Sequence, residues 1–175
     1  MGSITITDAM WPFINKRKAA IRQLSRFVSP DVAEEILNNP EAALPPPRQL
    51  LIGYNIIQVR DDDVERLNNQ IARITEFIFQ NRGVISDKTL SLLVITFGAP
   101  VPAHADPAEA SKSVAMQLVE TFANDVKVVY GSGNALVGSW GDPPCMSFGP
   151  MFPLFSQRLE VLCQMDYGSL REMNL

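Results

Sequence analysis

Near the N-terminus the apolar positions Ile14, Ile21, Leu24 and Val28 recur at heptad-compatible spacing, and Lys16, Arg17, Lys18, Arg22 and Arg26 fill the opposite face. This predicts a helix over about 14–28. Ser29-Pro30 then reads as a helix start, with Ser29 as N-cap, Pro30 at the first helical position, and Asp31, Glu34 and Glu35 near the positive end of the dipole. Asn38-Asn39-Pro40 stops that helix, and Pro45-Pro46-Pro47 stiffens the segment after it. Leu50 to Val59 is β-branched and aliphatic and predicts a strand. Asp61 to Asp63 open a helix whose buried stripe is expected to be Val64, Leu67, Ile71, Ile74 and Ile78. The nearly continuous apolar run from Thr89 to Phe97 predicts a central strand covered on both faces. A helix is expected from Pro107 to Phe122, with Ala110, Val114, Leu118 and Phe122 inward. Val126 to Tyr130 and Ala135 to Trp140 read as a hairpin turning at Gly131-Ser132-Gly133. Phe152 to Cys163 forms the last helix, with Phe155, Leu159 and Leu162 inward.

These elements describe an α+β sandwich: helices on one face of a mainly antiparallel sheet, preceded by an N-terminal helical extension. With 175 residues, 46% of them hydrophobic, the chain has material for one domain core, divided here into an extension over 1–40 and a domain over 41–175. The net charge of −4 disfavours nucleic acid as a partner. Cys145 and Cys163 lack metal-ligand spacing, frame no disulfide scaffold and fit a reducing compartment. There is no apolar run of about 18 residues and no signal-peptide pattern, so the expectation is a cytoplasmic protein whose membrane contact is at most peripheral. Met1-Gly2-Ser3 is either native or a cloning scar and carries no weight.

Several phrases, in order, resemble class III adenylyl and guanylyl cyclases. They are Phe27-Val28-Ser29-Pro30-Asp31-Val32; Phe97-Gly98-Ala99-Pro100-Val101-Pro102; Asp106, Ala108 and Glu109; Gly133-Asn134-Ala135-Leu136-Val137-Gly138; and Arg158-Leu159-Glu160. The likeness spans roughly residues 26–165 and needs no gap from Leu67 to Pro100. It implies a ferredoxin-like sheet that pairs head to tail, with active sites between two subunits. It also implies two aspartates holding two metal ions, since hard divalent cations prefer charged oxygen ligands.

Mapped onto the family, this chain lacks that machinery. The first metal aspartate corresponds to Asn55 and the second to Ser91. The base-recognising lysine falls on Asp87, next to Lys88. The other base-selecting position is Ser147, the ribose-orienting asparagine is Leu154, and the transition-state arginine is retained as Arg158. The loop after the first strand is shorter than in the family, and the chain ends soon after the Arg158 helix, which is expected to leave sheet edge uncovered. No metal and no cofactor are expected.

Other candidates have two readings each. Asp61, Asp62 and Asp63 are replacement carboxylates or, preferably, a helix cap and a solvated turn. Arg158, with Ser147 and Lys88, binds a nucleotide or is structural. Gly131-Ser132-Gly133 cradles phosphate or turns a hairpin. His104 lacks a nucleophilic partner. Trp11-Pro12-Phe13 docks on a partner or packs on its own domain. The cationic face of the N-terminal helix meets an acidic partner or membrane, or is simply solvated. The expected function is a pseudocyclase acting as a dimerising interaction or regulatory module, forming a homodimer or larger homo-oligomer, with the N-terminal helix contacting a protein partner. The alternatives are a nucleotide sensor without turnover and a residual adenylate cyclase active only with a partner subunit.

Overall fold

A computed structural model describes residues 17–39, 48–60, 62–99, 104–140, 145–148 and 151–174. The elements in order are α1 (17–24), α2 (Pro30–Asn38), β1 (Arg48–Val59), α3 (Val64–Gln80), β2 (Val84–Lys88), β3 (Leu92–Phe97), α4 (Pro107–Phe122), β4 (Val126–Trp140), β5 (Cys145–Phe148), α5 (Met151–Gln164) and β6 (Leu170–Glu172). The sheet order is β2-β3-β1-β4-β5, antiparallel throughout, with β6 added parallel to β4.

Strand β1 lies at the centre, and its alternation divides the core. Ile57 and Val59 pack with Leu67, Ile71, Ile74 and Ile78 of α3 and with Val114, Ala115, Leu118 and Phe122 of α4. Tyr54 and Ile56 point the other way, onto Val129 and Leu162. The expected helix layer on one face is therefore α3 and α4, while α5 covers the second face. Side-chain caps begin the helices as the sequence indicates. Ser29 caps α2, Asp63 accepts from Arg66 N at the start of α3, and Asp106 accepts from Ala108 N and Glu109 N at the start of α4. The Ser29 hydroxyl also holds the Asp31 carboxyl below its ordinary pKa.

Four expectations need correction. First, there is no hairpin at Gly131-Ser132-Gly133. Residues 126–140 form one continuous strand paired with β1 from Val126↔Val59 to Val137↔Arg48. Gly131 serves close approach instead of a turn, as Gly53 does on β1: a Cβ on Gly131 would lie 1.9 Å from Met173 O, and one on Gly53 would lie 2.0 Å from Pro107 O. Second, the true hairpin joins β4 to β5, pairing Trp140 with Cys145. Third, Val64 is 65% exposed, and Gln70 takes a place in the buried stripe of α3. Fourth, β3 begins at Leu92, so Ser91 lies in the bend before it.

At the N-terminus, the helix ends at residue 24 and a turn follows. Ile21 and Leu24 pack on Val28, Val32, Ala33 and Val84 of the chain's own domain, and Phe27 O accepts from Ile85 N of β2 at 2.7 Å. Much of the stripe expected to pair with another chain is thus spent within this one. Ile14 and Trp11-Pro12-Phe13 lie outside the described residues. No helix among the described residues is long and apolar enough to cross a membrane.

Gly53→Ala tests the tight seam between β1 and α4. The added methyl meets main chain that can move only with the helix, so we expect a loss of about 2 kcal/mol or more, read as a lower midpoint in urea with an unchanged slope.

Candidate functional site

The positions that the resemblance singles out fall on three strands, the bend before β3 and one helix. Asn55 is fully buried on the face of β1 toward α4, with Ile95 opposite it on β3 and Tyr130 opposite it on β4. Ser111 of α4 reaches down to this point. Its Oγ is 2.7 Å from Asn55 Oδ1, 2.8 Å from Tyr54 O and 3.2 Å from Gly131 O. A single hydroxyl proton cannot serve three acceptors, and Asn55 Nδ2 has no acceptor of its own. Turning the amide about its axis lets Nδ2 donate to Ser111 Oγ and frees the Ser111 proton for Tyr54 O. Asn55 is thus a core polar residue that ties the sheet to α4.

Ser91 is elsewhere. Its carbonyl accepts from Val59 N at 2.8 Å, four residues along β1 from Asn55, which is an offset of about 13 Å at strand rise. At that offset the fold does not bring Asn55 and Ser91 together. Asp87 and Lys88 are exposed at the end of β2, where Asp87 Oδ1 accepts from Lys88 N. Ser147 lies on β5, opposite Gly138. The strands bearing Lys88 and Ser147 are the two ends of the sheet order, four spacings or roughly 19 Å apart. Leu154 lies in α5, one turn before Arg158.

Arg158 is the retained family residue, and the fold encloses it at 3% exposure. Its Nε donates to Tyr54 Oη, its Nη2 donates to Asn174 O at 2.9 Å, and its guanidinium carbon lies 5.0 Å from the centroid of the Tyr54 ring. Tyr54 Oη in turn donates to Met173 O. Burial pushes the Tyr54 phenol above its ordinary pKa, against the lowering effect of the Arg158 hydrogen bond and charge. The arrangement binds β1, α5 and the C-terminal segment together. Of these partners, sequence reasoning found only Arg158. Tyr54 carries no local signal beyond strand propensity, and Asn174 contributes a main-chain oxygen.

The remaining candidates lie apart from these residues. Asp63 is the cap already described, Asp62 is exposed, and Asp61 lies outside the described residues. His104 Nε2 is 3.4 Å from Arg82 O, with its ring edge-on to Phe97. Cys163 is exposed and free.

Two measurements test these roles. Arg158→Ala leaves buried oxygens without a donor and should cost about 2–3 kcal/mol, and Arg158→Lys should not restore the loss, because a point charge cannot reproduce the guanidinium fork. Asn55→Asp puts an unpaired carboxyl in the core, so its folded pKa must rise above the unfolded value near ~4. The deficit of that variant should therefore be small below the unfolded pKa and grow as pH rises through the folded one. A deficit that is flat from acid to neutral pH would place residue 55 in contact with water.

Neither protein-family models nor curated proteins give a match to the sequence. Solved structures do match the fold. The catalytic core of a rhodopsin-guanylyl cyclase with converted specificity, in complex with ATPalphaS, aligns at TM-score 0.56 and 12% identity, covering 74% of this chain and 80% of that one. A bacterial light-regulated adenylyl cyclase aligns at TM-score 0.57 and 14% identity, covering 96% of this chain but 56% of that longer one. The non-canonical dimeric guanylyl cyclase domain of the RhoGC fusion protein from the aquatic fungus Blastocladiella emersonii aligns at TM-score 0.54 and 12% identity, covering 71% of this chain and 80% of that one. At such identities the likeness concerns architecture: this chain has the fold of a class III adenylyl/guanylyl cyclase catalytic domain.

Proposed function

We propose that the chain is a catalytically silent module of the nucleotidyl cyclase fold, one that assembles with a second copy and acts in regulation. The observation that carries this reading is the enclosure of Arg158. The one catalytic side chain that the resemblance retains spends its donors on Tyr54 and Asn174 inside the fold. Asn55 is likewise committed to Ser111, and the offset from Asn55 to Ser91 leaves the metal chemistry implied by the resemblance without a paired site. In-line attack on a nucleoside triphosphate needs cations to offset phosphate charge, and losing even one preorganised stabilising group costs ~10²–10³ in rate. The sensor reading relies on Arg158 and Ser147, and the enclosure of Arg158 weighs against it, while the residual-cyclase reading needs a partner subunit to supply the metal aspartates.

Assembly is supported by an apolar patch. Leu51 and Leu136 are 49% and 36% exposed. Leu51 pairs with Asn134, so both leucines lie on one face of the β1–β4 ribbon, two residues apart along β4. We expect purified chain to make no cyclic AMP or cyclic GMP with magnesium or manganese, and to give no heat on titration with ATP or GTP. Light scattering should report a dimer, which Leu51→Glu with Leu136→Glu returns to monomer without lowering the melting temperature. Turnover above a denatured control would defeat the silent reading. A strict monomer would defeat the assembly reading.

A further inference from the structure

After α5 the chain turns back to the sheet. Gly168, at φ 85°, donates its N–H to Val126 O at 2.7 Å, Val128 N donates to Ser169 O at 3.1 Å, and Met173 N donates to Tyr130 O at 2.7 Å. Strand β6 then runs beside β4, with Leu170, Arg171 and Glu172 opposite Val128, Val129 and Tyr130. Beyond the ladder, two contacts fall on main chain as well: Tyr54 Oη reaches Met173 O and Arg158 Nη2 reaches Asn174 O. Side chains contribute at four points. Leu170 packs on the helix-side core and Met173 on the Tyr54 cluster. Glu172 Oε2 accepts from Tyr130 Oη at 3.1 Å, and Asn174 Oδ1 accepts from Ser132 N at 3.0 Å. The absence of a Cβ at Gly131 makes room for the Met173 carbonyl.

These features make a groove shaped for an extended peptide: one edge of β4 with Arg158 and Tyr54 reading main-chain oxygens. We propose that the groove is an exchangeable peptide-acceptor site, whose partner is the same C-terminal segment of a second copy of this chain. Recognition of main chain by an open sheet edge is how strands are added in trans, and exchange of an identical element is a low-cost route between copies. The resident strand is only three residues long, and so short an element opens at a fraction of the global unfolding cost. The left-handed Gly168 supplies a hinge that tolerates either path. A second copy is the favoured occupant because its segment presents Leu170, Glu172 and Asn174 at the same spacing as the resident one. The assignment rests on the contacts of β6 and stands or falls independently of a dimer through Leu51 and Leu136.

The test uses the full chain and a fluorescent peptide with the sequence of residues 165–175. Wild-type chain, its groove filled, should take up the peptide weakly. Leu170→Asp in the chain loosens the resident strand and should tighten uptake about tenfold or more, because apparent affinity scales with the fraction of empty grooves. The same change in the peptide should abolish binding. The milder pair Glu172→Ala and Asn174→Ala should act in the same direction while sparing the core contact of Leu170. If either variant remains folded by its cooperative melt and neither takes up the peptide, the proposal is wrong. Equal uptake of an unrelated extended peptide of the same length would overturn the assignment of a second copy as partner.

Discussion

Antiparallel pairing of β1 with β4, unbroken from Arg48↔Val137 to Val59↔Val126, fixes the position of everything else. Two glycines near its middle open opposite faces of the same ribbon. Gly53 admits the first turn of α4 on one side, and Gly131 admits the C-terminal segment on the other. Because α4 comes so close, Ser111 can reach Tyr54 O and Asn55 across the seam. Because the segment comes so close, Tyr54 and Arg158 can close on its carbonyls. A side chain at either glycine would separate layers that the buried polar groups hold together, and those groups would then be left unpaired at a cost of about 1–3 kcal/mol each.

The helices and the central strand were legible because each has a strong local signal. α2, α3 and α4 begin at Ser29, Asp63 and Asp106, with apolar stripes at helical spacing. β1 and β3 are dense in β-branched and aliphatic residues. What failed was what depends on distant neighbours. Glycine marks both turns and close approaches, and only Met173, 42 positions beyond Gly131, decides between them. Strand β6 is too short to display a period. Val64 and Gln70 exchange their expected environments because Val64 sits in the first turn of α3, at the rim of the layer. For the site, the gap-free likeness from Leu67 to Pro100 placed Ser91 within the strand that ends at Phe97, whereas β3 begins at Leu92, and only strand register shows how far Ser91 lies from Asn55.

The polar groups at the family positions share a physical condition. Catalytic side chains act because donors or charges stay available for a transition state. Here Arg158 has Tyr54 and Asn174, Asn55 has Ser111, and the Tyr54 hydroxyl sits between a donor and an acceptor. Such satisfaction makes a rigid interior, and it would have to be undone before these residues could meet a ligand.

Among the described residues, the β2 edge and parts of the β4 edge are guarded. At β2, Phe27 O occupies Ile85 N, the register shifts between Ile85 and Asp87, and the charged Asp87 and Lys88 finish the strand. Carbonyl capping, a bulge and terminal charge each discourage strand addition. At β4, β5 covers Val137 to Trp140 and β6 covers Val128 to Tyr130, with Asn174 taking Ser132 N. Along these stretches, strand addition is a weak driving force for assembly. Two routes remain: burial of an exposed face such as that of Leu51 and Leu136, and exchange of a guarding strand for its equal. They differ physically, since the first adds apolar burial to an intact fold and the second substitutes identical contacts after a local opening. Only the second should slow as the docking of β6 is strengthened.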